Sequence, residues 1–232
     1  MKTLIIIPAY NEEENIVRVV ENLKKEYSQF DYVVINDGSK DKTSKICHKH
    51  GYEIIDLPIN LGLAGAFQTG LRYAYQKDYD YAIQFDADGQ HLPQYIEKML
   101  EEIKKGYDII IGSRFVNKKK PKTARMMGSN LISVAIKLTT GFKITDPTSG
   151  MRLYNKSMIK EFATNINYGP EPDTISFLLK QGIKIGEVQV EMSERIAGES
   201  YLNWVKSITY MTKMMVSIVF LQNFRKRAVK KK

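Results

Sequence analysis

Cysteine is almost missing from this chain of 232 residues, with Cys47 its only example. One thiol excludes an intramolecular disulfide and a four-thiolate zinc site, and it suits a reducing compartment. Long apolar runs are missing too. The run at residues 4–7 is too short for a secretory signal peptide and reads as a first strand. Near the other end the longest uncharged stretch, 214–224, has 11 residues, against the ~20 that a membrane-spanning helix needs. No repeat period is visible. No Gly-x-Gly-x-x-Gly follows the first apolar run, which argues against a dinucleotide-binding oxidoreductase. Acidic residues stop at Glu199. Beyond it Lys206, Lys213, Arg225, Lys226, Arg227, Lys230, Lys231 and Lys232 supply eight of the positive charges, so the net +9 falls to +1 over the rest of the chain. A nucleic-acid binder carries its charge across a folded face or along a groove. Charge loaded on a tail instead suits an anionic membrane surface, at ~1 kcal/mol per cation. A merely solubilising tail is the alternative.

What is present is an alternation of short apolar runs and amphipathic segments. Strands are predicted over 4–7, 32–35, 52–57, 81–85 and 108–111, with helices over 12–27, 39–50, 63–76 and 93–105. That order is the signature of a mostly parallel sheet with helices on both faces, an α/β fold. A hydrophobic content of 43% is enough for one good core. After Gly112 the regularity fades. A basic, proline-broken loop at 117–122 precedes a broadly apolar helix over 123–138, and a last strand is predicted at 182–190. Over 201–224 a helical stripe runs through Val205, Ile208, Met211, Met215, Ile218 and Val219, interrupted by Lys206 and Lys213. Such a helix is expected to lie in a membrane interface or to dock on a partner. An ordinary core helix is the alternative.

The chemistry concentrates in Gln84-Phe85-Asp86-Ala87-Asp88-Gly89-Gln90-His91. Residues i and i+2 of an extended strand share a face, so Asp86 and Asp88 are expected to present oxygens to one target. Paired carboxylates at a strand's carboxyl end suit a hard cation that also holds phosphates. A solvated turn is the bland alternative.

Further motifs appear in fixed order: Ile7-Pro8-Ala9-Tyr10-Asn11-Glu12-Glu13, Ile35-Asn36-Asp37-Gly38-Ser39, Asn60-Leu61-Gly62-Leu63-Ala64-Gly65-Ala66, Gly112-Ser113-Arg114, Asp146-Pro147-Thr148-Ser149-Gly150, and Glu194-Arg195-Ile196-Ala197-Gly198-Glu199-Ser200. Together with the Asp86 motif they resemble the family 2 glycosyltransferases of the GT-A fold, over about residues 3–200. Among these the likeness is to the polyprenyl-phosphate sugar transferases related to dolichyl-phosphate mannose synthase. The resemblance implies a catalytic domain over 1–200, with 201–232 left as an amphipathic helix and polybasic tail for attachment. It implies a nucleotide-sugar site of Pro8, Ala9, Tyr10, Glu12, Asp37, Gly62, Gly65 and Asp86. It implies Mg²⁺ or Mn²⁺ held by Asp86, Asp88 and Gln90, and catalytic parts for Asp88, Arg195 and Asp146. Asn36 departs from the pattern, standing where the family often has Asp.

The acceptor is implied to be a polyprenyl phosphate, held by Arg114, Arg125 and Arg195. A phosphate monoester is largely a dianion at neutral pH, so it needs cations and no strong base, and arginine forks pair bidentately with its oxygens. A hydroxyl acceptor would instead need a base, and Asp146 or Glu171 would be the candidate. The expected function is therefore inverting transfer of a hexose or N-acetylhexosamine from a UDP-sugar to undecaprenyl phosphate, for cell-wall or surface polysaccharide. It is placed at the cytoplasmic face of the plasma membrane, peripheral or monotopic. A small membrane-protein partner or self-association is expected, and no nucleic acid. A non-catalytic scaffold of this fold is the rival from another class.

Overall fold

Residues 4–7 are apolar without alternation because their strand is covered on both faces, as parallel strands usually are. In the computed structural model, which describes residues 1–165, 169–193 and 204–225, Leu4 and Ile6 join one core and Ile5 and Ile7 the other. This strand, β1 (Thr3–Ala9), lies inside a seven-stranded sheet with β2 (Asp31–Asn36), β3 (Ile54–Asp56), β4 (Tyr81–Gln84), β5 (Ile109–Ser113), β6 (Arg152–Asn155) and β7 (Ile185–Gln189). The order across the sheet is β3-β2-β1-β4-β6-β5-β7. β6 runs antiparallel to both β4 and β5, and the other pairings are parallel. The mostly parallel α/β fold expected from the sequence is what forms.

On one face pack α1 (Ile16–Glu26), α2 (Thr43–Lys49) and α4 (Ile96–Ile103). α1 is amphipathic, burying Ile16, Val19, Val20 and Leu23, the face its i, i+3, i+4, i+7 spacing anticipates. Cys47 is fully buried on this side, and burial pushes its thiol up to about 11, so it is inert packing. The other face carries α3 (Gly62–Gln76), α5 (Ala124–Thr140), α6 (Lys156–Thr164), α7 (Pro172–Lys180) and α8 (Trp204–Val219).

Three elements have no counterpart in the predicted pattern: β6, α6 and α7. Yet α6 has a recognisable start, since Asn155 Oδ1 accepts from the Met158 amide as an N-cap. Pro172 opens α7, where its missing N–H is harmless. The amphipathic helix predicted over 201–224 corresponds to α8. Its Met214 and Ile218 are buried in the core, and Met211 packs over Gly128 of α5. Among the described residues no helix is long and apolar enough to cross a membrane.

Candidate active site

β1, β2 and β4 are mutually parallel, so their carboxyl ends open on one edge of the sheet, where open α/β folds bind ligands. Here the backbone is tied together by residues of the expected nucleotide site. The Asp37 amide donates to Ala9 O (2.8 Å), and the buried Asp37 accepts from the Leu61 amide at Oδ1 (2.7 Å). Gly38 has φ +65°, and a Cβ there would lie 2.7 Å from Asn60 N. Only glycine lets β2 end in a turn against residues 59–60 and so aim Asp37 at the start of α3. Asn11, at φ 56°, accepts from the Lys40 amide (2.8 Å) and donates its own amide to Ser39 Oγ. The strand end is thereby locked to the β2–α2 loop. Pro8 is partly exposed and Tyr10 is exposed at this edge. Glu12 accepts from Asn15 Nδ2 at 2.8 Å. Gly62 and Gly65 both lie in the first turn of α3, an end of the helix that favours anions, although the Gly62 amide already donates to Asn60 Oδ1 (3.1 Å).

Asn36 is turned to a structural task. Its Nδ2 donates to Asp56 Oδ1 at 2.6 Å, and His48 Nε2 sits 2.7 Å from Asp56 Oδ2. Burial raises the Asp56 carboxyl, but the hydrogen bonds from Asn36 and His48 outweigh it and hold it below its ordinary value. This stabilises the fold above the unfolded carboxyl value of about 3.9 and is lost as pH falls through the lower folded value. An Asp at position 36 would face Asp56 charge to charge. Asn36→Asp should therefore cost about 1–3 kcal/mol at pH 7. The loss should shrink on acidification as one carboxyl takes a proton. Urea unfolding at pH 7 and pH 4 checks this, and a deficit that ignores pH would contradict it.

The Asp86 motif departs from the geometry expected of it. β4 ends at Gln84, so Asp86 and Asp88 stand in the turn beyond it and not on an extended strand. Gly89 takes φ +77°, and a Cβ there would press to 2.5 Å from Arg18 Nη2. Asp86 is half-exposed, whereas Asp88 is buried and accepts from the Gln90 amide (3.0 Å). Two buried neighbours brace Asp86. Gln84 Nε2 donates to its Oδ1 (3.1 Å), and His91 Nδ1 accepts from its backbone amide (2.9 Å). His91 is therefore a structural histidine. Gln90 bonds to Ser193 through both backbone and side chain.

Two carboxylates and an amide oxygen within five residues form an all-oxygen donor set of the kind that Mg²⁺ or Mn²⁺ prefers. Among the described residues no three His, Cys, Asp or Glu side chains converge as a metal cage. An incomplete protein set fits a Mg²⁺-like ion, which takes one or two carboxylates and leaves its other positions to water and substrate phosphates. Asp86, Asp88 and Gln90 are the residues that would hold it.

A second cluster lies where β5 ends. Arg114 forks onto Asp146, with Nε to Oδ2 at 2.7 Å and Nη2 to Oδ1 at 2.9 Å, and its amide adds a third bond. Asp146 is fully buried and Arg114 only partly so. Glu187 of β7 holds the loop in place by accepting from the amides of Thr145 and Asp146. Thr148 bonds to Asp146, and Gly150 comes so close to Asp86 that a Cβ would sit 2.8 Å from Oδ2. Four residues thus carry the chain from the Arg114 clamp to the Asp86 carboxylate. Lys120, undistinguished within the basic run 118–120, joins this cluster through Ser129 and Ser133 (3.1 and 3.3 Å). Arg125 is the second residue of α5. Its side chain and the whole of Arg195 lie outside the described residues.

The family model described as glycosyl transferase family 2 matches residues 4–162. The chain belongs to this family. It is 32% identical over 211 residues to a UDP-N-acetylglucosamine–dolichyl-phosphate N-acetylglucosaminyltransferase of Methanococcus voltae, covering 81% of this chain and 84% of that one. It is 29% identical to an undecaprenyl-phosphate mannosyltransferase of Micrococcus luteus, with 88% of each chain covered. Among solved structures, glucosyl-3-phosphoglycerate synthase of Mycobacterium tuberculosis with Mn²⁺, UDP and phosphoglyceric acid superposes with a TM-score of 0.67. That match covers 98% of this chain and 80% of the other at 15% identity. It establishes a GT-A-like fold.

In a family 2 glycosyltransferase the disposition of carboxylates near the acceptor side matters, because a hydroxyl acceptor needs a base. Both candidates are engaged, Asp146 at both oxygens and Glu171 at one. Asp146 is saturated by the Arg114 fork. Glu171, preceding α7, accepts from the Tyr210 hydroxyl, whose proton is held more tightly by burial and by that carboxylate. Asp173 accepts from Ser217 (2.7 Å) and Gln222 (3.0 Å). Glu171 and Asp173 thus fasten α8 and the turn after it to α7.

Proposed function

We propose that this glycosyltransferase moves a hexose or N-acetylhexosamine from a UDP-sugar to a polyprenyl phosphate, undecaprenyl phosphate in a bacterium. The observation that carries the reading is the fork of Arg114 onto the buried Asp146 at the end of β5. A buried carboxylate already paired with an arginine, in a cluster with further cations, suits an acceptor that is itself an anion. The names of the relatives point the same way: one pairs a UDP-sugar with dolichyl phosphate, and the other is a mannosyltransferase of undecaprenyl phosphate. A phosphate oxygen attacks the anomeric carbon from the face opposite the leaving group. The bond from that carbon to the diphosphate oxygen breaks with its electron pair, UDP departs, and a phosphodiester of inverted configuration remains. No proton has to be removed from the acceptor. Mg²⁺ or Mn²⁺ bound at Asp86, Asp88 and Gln90 would neutralise the charge gathering on the diphosphate.

The reading also places the enzyme peripherally on the cytoplasmic membrane face. α5 leaves Met127, Leu131, Val134 and Leu138 exposed at i, i+4, i+7 and i+11, and Phe142 follows. The whole stretch 109–145 contains eight Lys and Arg and no Asp or Glu. An apolar stripe set among cations suits an anionic lipid surface. The test is transfer from labelled UDP-sugars to undecaprenyl phosphate, carried either in anionic vesicles or in detergent micelles. Labelled lipid is expected in both. The Leu131→Ser/Leu138→Ser variant should lose at least about tenfold in vesicles while keeping its micelle rate. Transfer confined to hydroxyl acceptors sinks the proposal, and equal rates for the variant sink its membrane arm.

A further inference from the structure

Lys120 is the one lysine of the run 118–120 that turns inward. Lys118 pairs with Glu191 at the surface, at 2.6 Å. Lys120 is half-buried, and among the described residues no carboxylate lies within ion-pair distance of its ammonium. It donates instead to two neutral hydroxyls, Ser129 Oγ and Ser133 Oγ, with Nζ 5.6 Å from the centre of the Phe115 ring. A lysine is seldom taken out of water without a counter-ion. Burial accordingly holds its pKa below the ordinary lysine value. The two carboxylates whose charge reaches it are both engaged, Asp146 by Arg114 and Glu187 by the residues 145–146.

The surroundings tie this ammonium to the reaction centre. Ser129 Oγ meets Thr148 Oγ1 at 3.3 Å, and Thr148 reaches Asp146 at 3.2 Å. Two residues after Thr148, Gly150 touches the Asp86 carboxylate. Two peptide units span at most about 7 Å. Lys120 is thus linked through Ser129, Thr148 and Gly150 to the carboxylate that is expected to face the donor's diphosphate.

We propose that Lys120 is a direct ligand of the acceptor's phosphate, working with those donors of Arg114 that Asp146 does not use. The inference rests on the phosphate-acceptor reading above. A phosphate dianion supplies the missing counter-ion and receives a charge-assisted bond from the ammonium. The two serine hydroxyls fix where the ammonium sits before the anion arrives, so little is spent on ordering it.

The test uses the full chain and the variants Lys120→Met, which keeps the apolar stem, and Lys120→Arg, which keeps the charge. Farnesyl phosphate binding is measured by calorimetry, and KM is measured for undecaprenyl phosphate and for the donor. Lys120→Met should weaken farnesyl phosphate binding and acceptor kcat/KM by about 10- to 100-fold, with UDP affinity unchanged. Lys120→Arg should recover most of that loss. If the wild type glycosylates polyprenyl phosphate and Lys120→Met binds farnesyl phosphate as tightly as it does, this assignment falls and the functional reading stands. If the wild type glycosylates only a polyprenol or saccharide hydroxyl, both fall together. A loss in Lys120→Met shared equally by UDP binding also overturns the assignment, since it marks a packing role.

Discussion

Asp86→Asn is expected to lower sugar transfer by about a thousandfold or more while the protein stays folded. The substitution keeps the size of the side chain and an oxygen that can accept from Gln84 Nε2. His91 continues to accept from the backbone amide, and only its longer Nε2 contact with Asp86 Oδ2, at 3.5 Å, is altered. Asp86 is half-exposed, so removing its charge leaves no buried ion behind. What disappears is one of the anionic oxygens proposed to hold a divalent ion at the donor's diphosphate. A Lewis acid at a developing anion contributes several kcal/mol, and each 1.36 kcal/mol is tenfold in rate. Excess chelator should bring the wild type down to a similar level. The variant, already without a working site, should respond little to chelator or to added Mn²⁺. Urea midpoints for the two proteins should agree closely. Undiminished turnover in the variant, or in the chelated wild type, removes the metal from the account.

The half of the fold that announces itself in the sequence is the half built from local repeats of strand and helix. β1, β2 and β4 are apolar runs because each is covered on both faces, and Ile16, Val19, Val20 and Leu23 mark α1 by spacing alone. β6 gives no such signal. It has four residues, one of them the buried Arg152, and its partners β4 and β5 lie far away in sequence. Arg152 is tolerated there because its guanidinium donates to the carbonyls of Ser149 and Pro147, an arrangement that no periodicity encodes. α8 misleads for the opposite reason. Its stripe is amphipathic whether it faces lipid or core, and the burial of Met214 and Ile218, Met211 over Gly128 and the anchors Glu171 and Asp173 put that side of it on the core.

At the site the same division holds. Asp86, Asp88 and Gln90 are legible as a motif because they lie within five residues of one another. Their turn geometry is less so, since a strand pattern that stops at Gln84 and one that runs through Asp88 look alike until Gly89 breaks them. The Arg114–Asp146 clamp joins residues 32 apart, and Lys120 looks like its solvated neighbours. Asn36 shows how a departure from a family pattern is absorbed. The amide is required where Asp56 stands, so the two positions have to be read as a pair.

Arg114 separates two effects that single substitutions confuse. Arg114→Ala strands the fully buried Asp146 carboxylate with, among the described residues, only the Thr148 hydroxyl and the residue 114 amide as donors. Breaking a buried pair from one side typically costs about 3–5 kcal/mol, which at this chain length lowers Tm by roughly 6–20 °C. Loss of activity in that variant would therefore report mostly on folding. The paired change Arg114→Met/Asp146→Asn removes both charges and keeps the volumes, and it should return most of the lost stability. It should not return acceptor use, because the guanidinium donors that Asp146 leaves unused are also gone. A deficit of about tenfold or more in acceptor kcat/KM, with UDP binding intact, is expected in the restabilised protein. Recovery of turnover along with Tm would instead reduce Arg114 to a brace for the loop at 145–150. The phosphate would then have to be held without it.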